Sequence, residues 1–345
     1  MTLQVTSPNV WETLMKALIQ KLVETHSPSG YESDIRSTIR AEVESYADEI
    51  RVDALGNLII RKGAGSPEGK KIMLAAHMDE IGVIVTHVDD NGFVRFSSLG
   101  GVRPVNCLGG RVRFLNGAAG VIGSERIEDA SRVPSLEQLF IDLGLTQGSD
   151  SRVRVGDVAV FERPFLDLGK RLVSKAMDDR IGVAVMVETL RQVAGTPHQL
   201  YFVFSTQEEV GLRGATTAAY GIDPDIGLSV DVTGTGDTPN TRKMAVSLGK
   251  GPAIKVRDGG MLSDPRVVDW MVRTAEALSL PYQMEVLEGG TTDARAMQIS
   301  RAGAPVGCLS IPCRYVHSPS EMVDFDDVQN AVRLLLEMVS QPVAW

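Results

Sequence analysis

Apolar residues recur at helical spacing from Trp11 through Leu14, Met15, Leu18, Ile19, Leu22 and Val23, a single stripe along an amphipathic helix. Ile35, Ile39 and Val43 mark one face of a second helix, reached through Ser-Pro-Ser-Gly at 27–30. The period then shortens to that of strands. Residues 51–53 and 57–61 read as a hairpin around Ala54, Leu55 and Gly56, and the apolar run at 71–76 as a buried strand ending at His77, Met78 and Asp79.

From residue 80 to about 165 the texture changes to short β-rich pieces (82–87, 93–97, 110–114, 120–123 and 151–161) separated by Gly, Asn and Asp turns. The one helix-like segment there is 135–143. An α/β rhythm returns afterwards: a helix over 179–192, an apolar and aromatic strand from Gln199 that ends at Glu208 and Glu209, and a strand over 226–230 ending at Asp231. Asp264 followed by Pro265 marks a helix start, with Val267, Val268, Met271, Val272, Ala275 and Leu278 as its buried face. A last strand at 305–311 leads towards His317, and Val328, Ala331, Val332, Leu335 and Val339 form a closing helix. The pattern predicts an α/β protein in two parts. Residues 1–79 and 165–345 make a discontinuous α/β domain, and residues 80–164 an inserted β-rich, barrel-like one.

Composition narrows the function. With 345 residues, 43% of them hydrophobic, the chain can bury a large core, and its net charge of -9 argues against nucleic acid or an anionic membrane as partner. No apolar run reaches membrane-spanning length, and the first 20 residues lack a signal-peptide core. Three cysteines without a CxxC spacing argue against a disulfide framework and for a reducing, cytoplasmic setting.

Strand ends deliver side chains to one edge of a parallel sheet, so residues distant in sequence converge there. His77, Glu208 or Glu209, Asp231 and His317 all fall at or just past such ends, and Asp178 stands immediately before the 179–192 helix. Taken singly, each has an ordinary reading: a satisfied histidine, a solvated Glu-Glu turn, a helix cap at Asp178. Jointly they form an imidazole and carboxylate set suited to zinc, cobalt or manganese. Charge counting favours two divalent ions, with one Asp bridge, one Glu, one Asp and a bridging hydroxide neutralising them. Asp79, two residues past His77, is placed to hold the imidazole's second nitrogen. One of Glu208 and Glu209 would ligate and the other act as general base; the sequence pattern does not say which.

At these residues the chain resembles the co-catalytic metallo-aminopeptidases of the tetrahedral (TET) type, the family of glutamyl, leucyl and lysyl aminopeptidases. The resemblance runs from Ser-Pro-Ser-Gly-Tyr-Glu at 27–32 through Val-Asp-Ala-Leu-Gly-Asn-Leu at 52–58 and Ala-Ala-His-Met-Asp-Glu-Ile-Gly at 75–82. It continues through Ser-Lys-Ala-Met-Asp-Asp-Arg at 174–180 and Thr-Gln-Glu-Glu-Val-Gly at 206–211. Asp231-Val232 and Arg-Tyr-Val-His-Ser-Pro at 314–319 complete it. The resemblance implies a doubly wound α/β peptidase domain with an inserted β-rich domain that contributes dimer contacts and narrows access. It implies Asp178 as bridging ligand, His77 and Asp231 on one metal, His317 and Glu209 on the other, Glu208 as general base and Asp79 behind His77. It further implies short peptide substrates and dimers that build a tetrahedral dodecamer. Three segments depart from the family pattern: Arg103 in 100–104, an extra threonine in Gly-Gly-Thr-Thr-Asp at 289–293, and the charged stretch 124–131.

The alternatives within the same chemistry are a metal-dependent carboxypeptidase or N-deacylase. A glycosidase using Glu208 and a second carboxylate would leave His77, His317 and Asp231 without a purpose. A non-catalytic assembly protein would not need the full ligand set.

Overall fold

The computed structural model describes residues 8–129, 131–148, 151–343 and 345. Four strands make the centre of its large mixed sheet, in the order Gln199–Ser205, Lys71–His77, Ile226–Thr233 and Val306–Arg314, all parallel. Each is almost wholly buried. Strands covered on both faces carry continuous apolar runs, which is why these four read so clearly in the sequence. The Glu49–Val52/Leu58–Lys62 hairpin extends one side antiparallel. On the other side Glu321–Asp324, Arg171–Ser174 and Leu166–Asp167 follow, and Ala253–Arg257 with Gln283–Val286 branches from Val306–Arg314. The helix Met177–Gln192 packs on the sheet with every residue from Met177 to Leu190 buried, and the closing helix Phe325–Ser340 packs beside it.

A second sheet closes on itself. Gly82–Val88, Phe93–Leu99, Leu139–Asp142, Ala119–Ser124, Arg111–Phe114 and Val158–Phe161 form an antiparallel barrel. Its separate core includes Val83, Val94, Phe96, Val112, Phe114 and Ile141. The Gly, Asn and Asp punctuation between residues 80 and 165 thus corresponds to barrel turns.

Some expectations need correcting. The 135–143 segment is not a helix but a single 3-10 turn, Leu136–Gln138, followed by the strand Leu139–Asp142. Ser135 and Gln138 form a reciprocal capping box, a helix-start signal that here ends after one turn. Leu139 and Ile141 are then buried while Asp142 is exposed, the two-residue alternation of a strand. The strand expected over 151–161 is confined to Val158–Phe161. Val306–Arg314 is not the last strand, since Glu321–Asp324 follows it. Within the first helix, Pro8–Glu24, the stripe is buried from Met15 to Val23, whereas Leu14 is exposed.

The Asp264-Pro265 start is realised: Pro265–Ala277 is helical and the Asp264 side chain accepts the Arg266 backbone N–H. Asp264→Ala is expected to destabilise the fold by about 0.5–2 kcal/mol, measured as a lower denaturant midpoint. Among the described residues no helix is long and apolar enough to cross a membrane.

Candidate metal centre

Sheet register assembles the site. Ser205 pairs with His77, and Ser229 pairs with Ala75, so two residues further on Asp231 lies level with His77. Glu208 and Glu209 follow the end of Gln199–Ser205. Asp178 and Asp179 open the Met177–Gln192 helix with non-helical backbone angles, joined by a cis peptide bond. His317 lies in the turn between Val306–Arg314 and Glu321–Asp324, at φ +59°.

The side chains converge. Asp178 faces one histidine with each oxygen: Oδ1 is 2.9 Å from His77 Nε2 and Oδ2 is 3.3 Å from His317 Nε2. Glu209 Oε1 is 3.3 Å from His317 Nε2. Two sets of ligand atoms lie within 4.8 Å of one another, His77 with Asp178 and Glu209, and His77 with Asp179 and Asp231. Glu208 belongs to neither set; its Oε2 is 3.9 Å from His77 Nε2. His77, Asp178 and Asp231 are at most 7% exposed, whereas the His317 side chain is 33% exposed, so the centre opens to solvent on the His317 side.

Asp79 serves more than the imidazole. His77 Nδ1 is 3.1 Å from the Asp79 backbone oxygen and 3.5 Å from its Oδ1. The Asp79 carboxylate also accepts the Ser29 hydroxyl at 2.6 Å and the backbone N–H groups of Glu208 and Glu209 at 3.0 and 3.3 Å. It therefore holds the Glu-Glu turn as well as facing the histidine.

The electrostatics show a concentration of negative charge. Burial, reinforced by the Asp178 charge, pushes Asp231 up to about 8. Burial and the charges of Asp231, Asp293 and Glu209 hold Glu208 well above its ordinary value, and burial with Asp231 and Asp178 does the same to Asp179. Burial would lower His77, but its hydrogen bonds to Asp178 and Asp79 and the Glu208 charge hold it well above normal. Burial opposes ionisation of Asp178 too, yet hydrogen bonds from His317 and His77 keep it below the usual carboxylate range.

These residues fit divalent ions. Asp179 Oδ2 is buried without a hydrogen-bond partner, and Glu209 Oε1 is buried with no polar neighbour in hydrogen-bond geometry, its 3.3 Å approach to His317 included; a cation is the partner that crowded carboxylate oxygens lack. His77, Asp178, Glu209, Asp231 and His317 supply nitrogen and oxygen donors of the type zinc, cobalt and manganese accept.

Sequence reasoning missed three participants. Asp179 joins the His77 and Asp231 set while its Oδ1 accepts the Gly182 N–H at 3.1 Å; its place beside Asp178 had pointed only to a helix cap. Glu321, 1% exposed, accepts the backbone N–H of Asp178 at 2.9 Å and of His317 at 2.8 Å. Nothing in the local pattern at 321–324 marks it. Asp293, noted only as the end of the 289–293 segment, is buried against the Ser205 hydroxyl with its Oδ1 unpartnered.

A sequence model of the family described as M42 glutamyl aminopeptidase matches residues 56–334. A putative aminopeptidase of Acetivibrio thermocellus is 46% identical over 93% of this chain and 97% of its own length. Among solved structures, an aminopeptidase from the archaeon Desulfurococcus kamchatkensis superposes with a TM-score of 0.92 at 41% identity, covering 96% of this chain and 95% of that one. A TET1 peptidase of Pyrococcus horikoshii, described as assembling into a tetrahedron or a large octahedral shell, superposes at 0.84 with 31% identity, over 95% of this chain and 99% of its own.

Proposed function

The chain belongs to the M42 glutamyl aminopeptidase family, and from that premise we propose that it is a two-metal aminopeptidase removing N-terminal residues from short peptides. The observation that carries this reading is Asp178, one of whose oxygens faces His77 and the other His317. His77 and Asp231 would hold one ion, with Asp179 beside them, and His317 and Glu209 the other. Zinc or cobalt suits the donor set best, and manganese is acceptable. When bound, such ions polarise a scissile carbonyl and activate water near neutral pH.

The chain's own residues supply the rest. Glu208 stands outside both ligand sets, with its backbone N–H held by Asp79 Oδ1 at 3.0 Å. It takes a proton from the attacking water and delivers it to the leaving amine. Asp79 keeps His77 and the Glu-Glu turn in place. With bound ions holding them all ionised, the six carboxylates of Asp178, Asp179, Glu208, Glu209, Asp231 and Asp293 would carry one more negative charge than two divalent ions and the nearby Lys255 supply. That balance attracts a peptide's ammonium end and disfavours its carboxylate end, which separates an aminopeptidase from a carboxypeptidase.

The barrel would contribute to self-association, with dimers building a tetrahedral dodecamer, in line with the Pyrococcus horikoshii relative. Val105, Leu108, Leu115 and Val121, exposed in this part of the chain, supply apolar contact area. Three free, buried cysteines fit the reducing cytoplasm.

Free and N-acetylated short peptides distinguish the readings. Hydrolysis of the free peptides only, abolished by chelation and restored by zinc, cobalt or manganese, is the expected outcome. Metal-dependent hydrolysis of blocked peptides alone would make the enzyme an N-deacylase. Chelator-insensitive cleavage of a glucan would replace the reading with a glycosidase.

A further inference from the structure

The His317 side of the centre is built partly by the barrel. Gly101 and Asn106 belong to the loop that leaves the barrel strand Phe93–Leu99, and this loop is anchored in the barrel core by Val102 and Cys107. From that anchor it reaches the centre at three points. The Asn106 side-chain amide donates to the His317 backbone oxygen at 3.0 Å. The Gly101 N–H approaches Glu209 Oε2 at 3.5 Å. The third point is the Gly101 Cα itself: a β-carbon there would lie 2.1 Å from His317 Nδ1 and 2.4 Å from its Cε1.

His317 needs this support. Its φ of +59° is a left-handed conformation that costs a non-glycine residue of order 1 kcal/mol or more, and it persists only where the surroundings enforce it. Both of its backbone polar groups are engaged from outside its own turn's ladder: the N–H by Glu321 at 2.8 Å and the carbonyl by Asn106. The imidazole lies against Gly101. Among the described residues no hydrogen bond or ion pair joins Asp231 to the barrel; Asp231 is held within the central sheet, its Oδ1 taking the Val232 N–H at 2.7 Å.

We infer that Gly101 and Asn106 are positioning residues, through which the barrel sets the backbone and ring of His317 and thereby the affinity of the His317–Glu209 half of the centre for its metal. This rests on the two-metal reading above. The requirement falls on Gly101 for lack of space and on Asn106 for its donor. Gly101 has no left-handed φ, and the three heavy atoms nearest a β-carbon there all belong to the His317 imidazole.

Metal-depleted wild type, Gly101→Ala, Asn106→Ala and Asn116→Ala proteins are titrated with zinc by calorimetry, and bound zinc is counted after equilibrium dialysis. Asn116→Ala is the control, because Asn116 makes a comparable amide-to-carbonyl bond, to Arg152, inside the barrel region and away from the centre. Wild type and Asn116→Ala are expected to bind two ions per chain. Gly101→Ala and Asn106→Ala are expected to keep one with unchanged affinity and to bind the other about 10–100-fold more weakly, the usual effect of removing a partner behind a ligand. Circular dichroism should stay native in all four. Two ions bound with wild-type affinities by both variants would overturn the inference. Equal weakening in Asn116→Ala would overturn it too, by showing a general effect of barrel destabilisation. Failure of wild type to bind two ions would instead remove the two-metal reading on which it rests.

Discussion

Glu208→Gln is expected to lower kcat by roughly 10²–10⁴-fold, the usual contribution of a positioned general base, with bound metal unchanged. Glutamine preserves the shape and length of the side chain and cannot accept the water's proton. The geometry isolates this function: Glu208 lies in neither ligand set, while the neighbouring Glu209 has an oxygen 3.3 Å from His317 Nε2. The loss should fall on kcat with little change in KM, because the proton is transferred in the transition state. Metal analysis run beside the kinetics separates the two possible failures. Turnover within tenfold of wild type would remove Glu208 as the base. Loss of an ion would make Glu208 a ligand and return the base to its neighbour.

Asp178→Asn is expected to weaken both ions together, the largest effect on metal content of any single substitution here. Asparagine keeps the size of the side chain but replaces one charged oxygen by an amide nitrogen, which donates where a ligand must accept. Among the described residues Asp178 alone has an oxygen within 3.5 Å of each histidine, at 2.9 and 3.3 Å, so neither half keeps its full donor set. Asp231→Asn, by contrast, should weaken one ion only. The readouts are metal per chain after dialysis and the rise in Tm on adding zinc. That rise follows from preferential binding to the folded state and should shrink markedly in Asp178→Asn. Two ions retained at wild-type affinity would exclude a bridging role.

The turn carrying Glu208 and Glu209 shows where the reading of residues stops. An apolar strand followed by two adjacent carboxylates is plain in the sequence, but the division of labour between them is not. Gln207 at φ +55° and Asp79, which accepts both backbone N–H groups, shape that turn, in which Glu209 lies against His317 and Glu208 lies outside both ligand sets. Asp79 itself shows the same limit. Its i+2 spacing from His77 placed it by the imidazole, whereas its bonds to Ser29, Glu208 and Glu209 come from residues 50 to 130 positions away. The 135–143 segment failed for a local reason: a sound capping box and a short apolar run satisfy both periods, and pairing with Phe93–Leu99 and Ala119–Ser124 selected the strand.

By itself the sequence determined the layered α/β architecture and the β-rich insertion, and it brought out His77, Asp178, the Glu208–Glu209 pair, Asp231 and His317 as ligand candidates without choosing between the two glutamates. Burial on both faces of parallel strands writes continuous apolar runs into the chain, and functional groups follow where those runs end. Only the tertiary structure decided that Asp179 joins His77 and Asp231, that Glu321 ties Asp178 to His317, and that a barrel glycine and asparagine close around His317. Asn106 and His317 are 211 residues apart, and a hydrogen bond or a missing β-carbon at such a separation leaves no periodicity in the chain. Hydrophobic burial is repeated along every element and is legible locally; a single polar contact is made once, between elements, and exists only after they have packed.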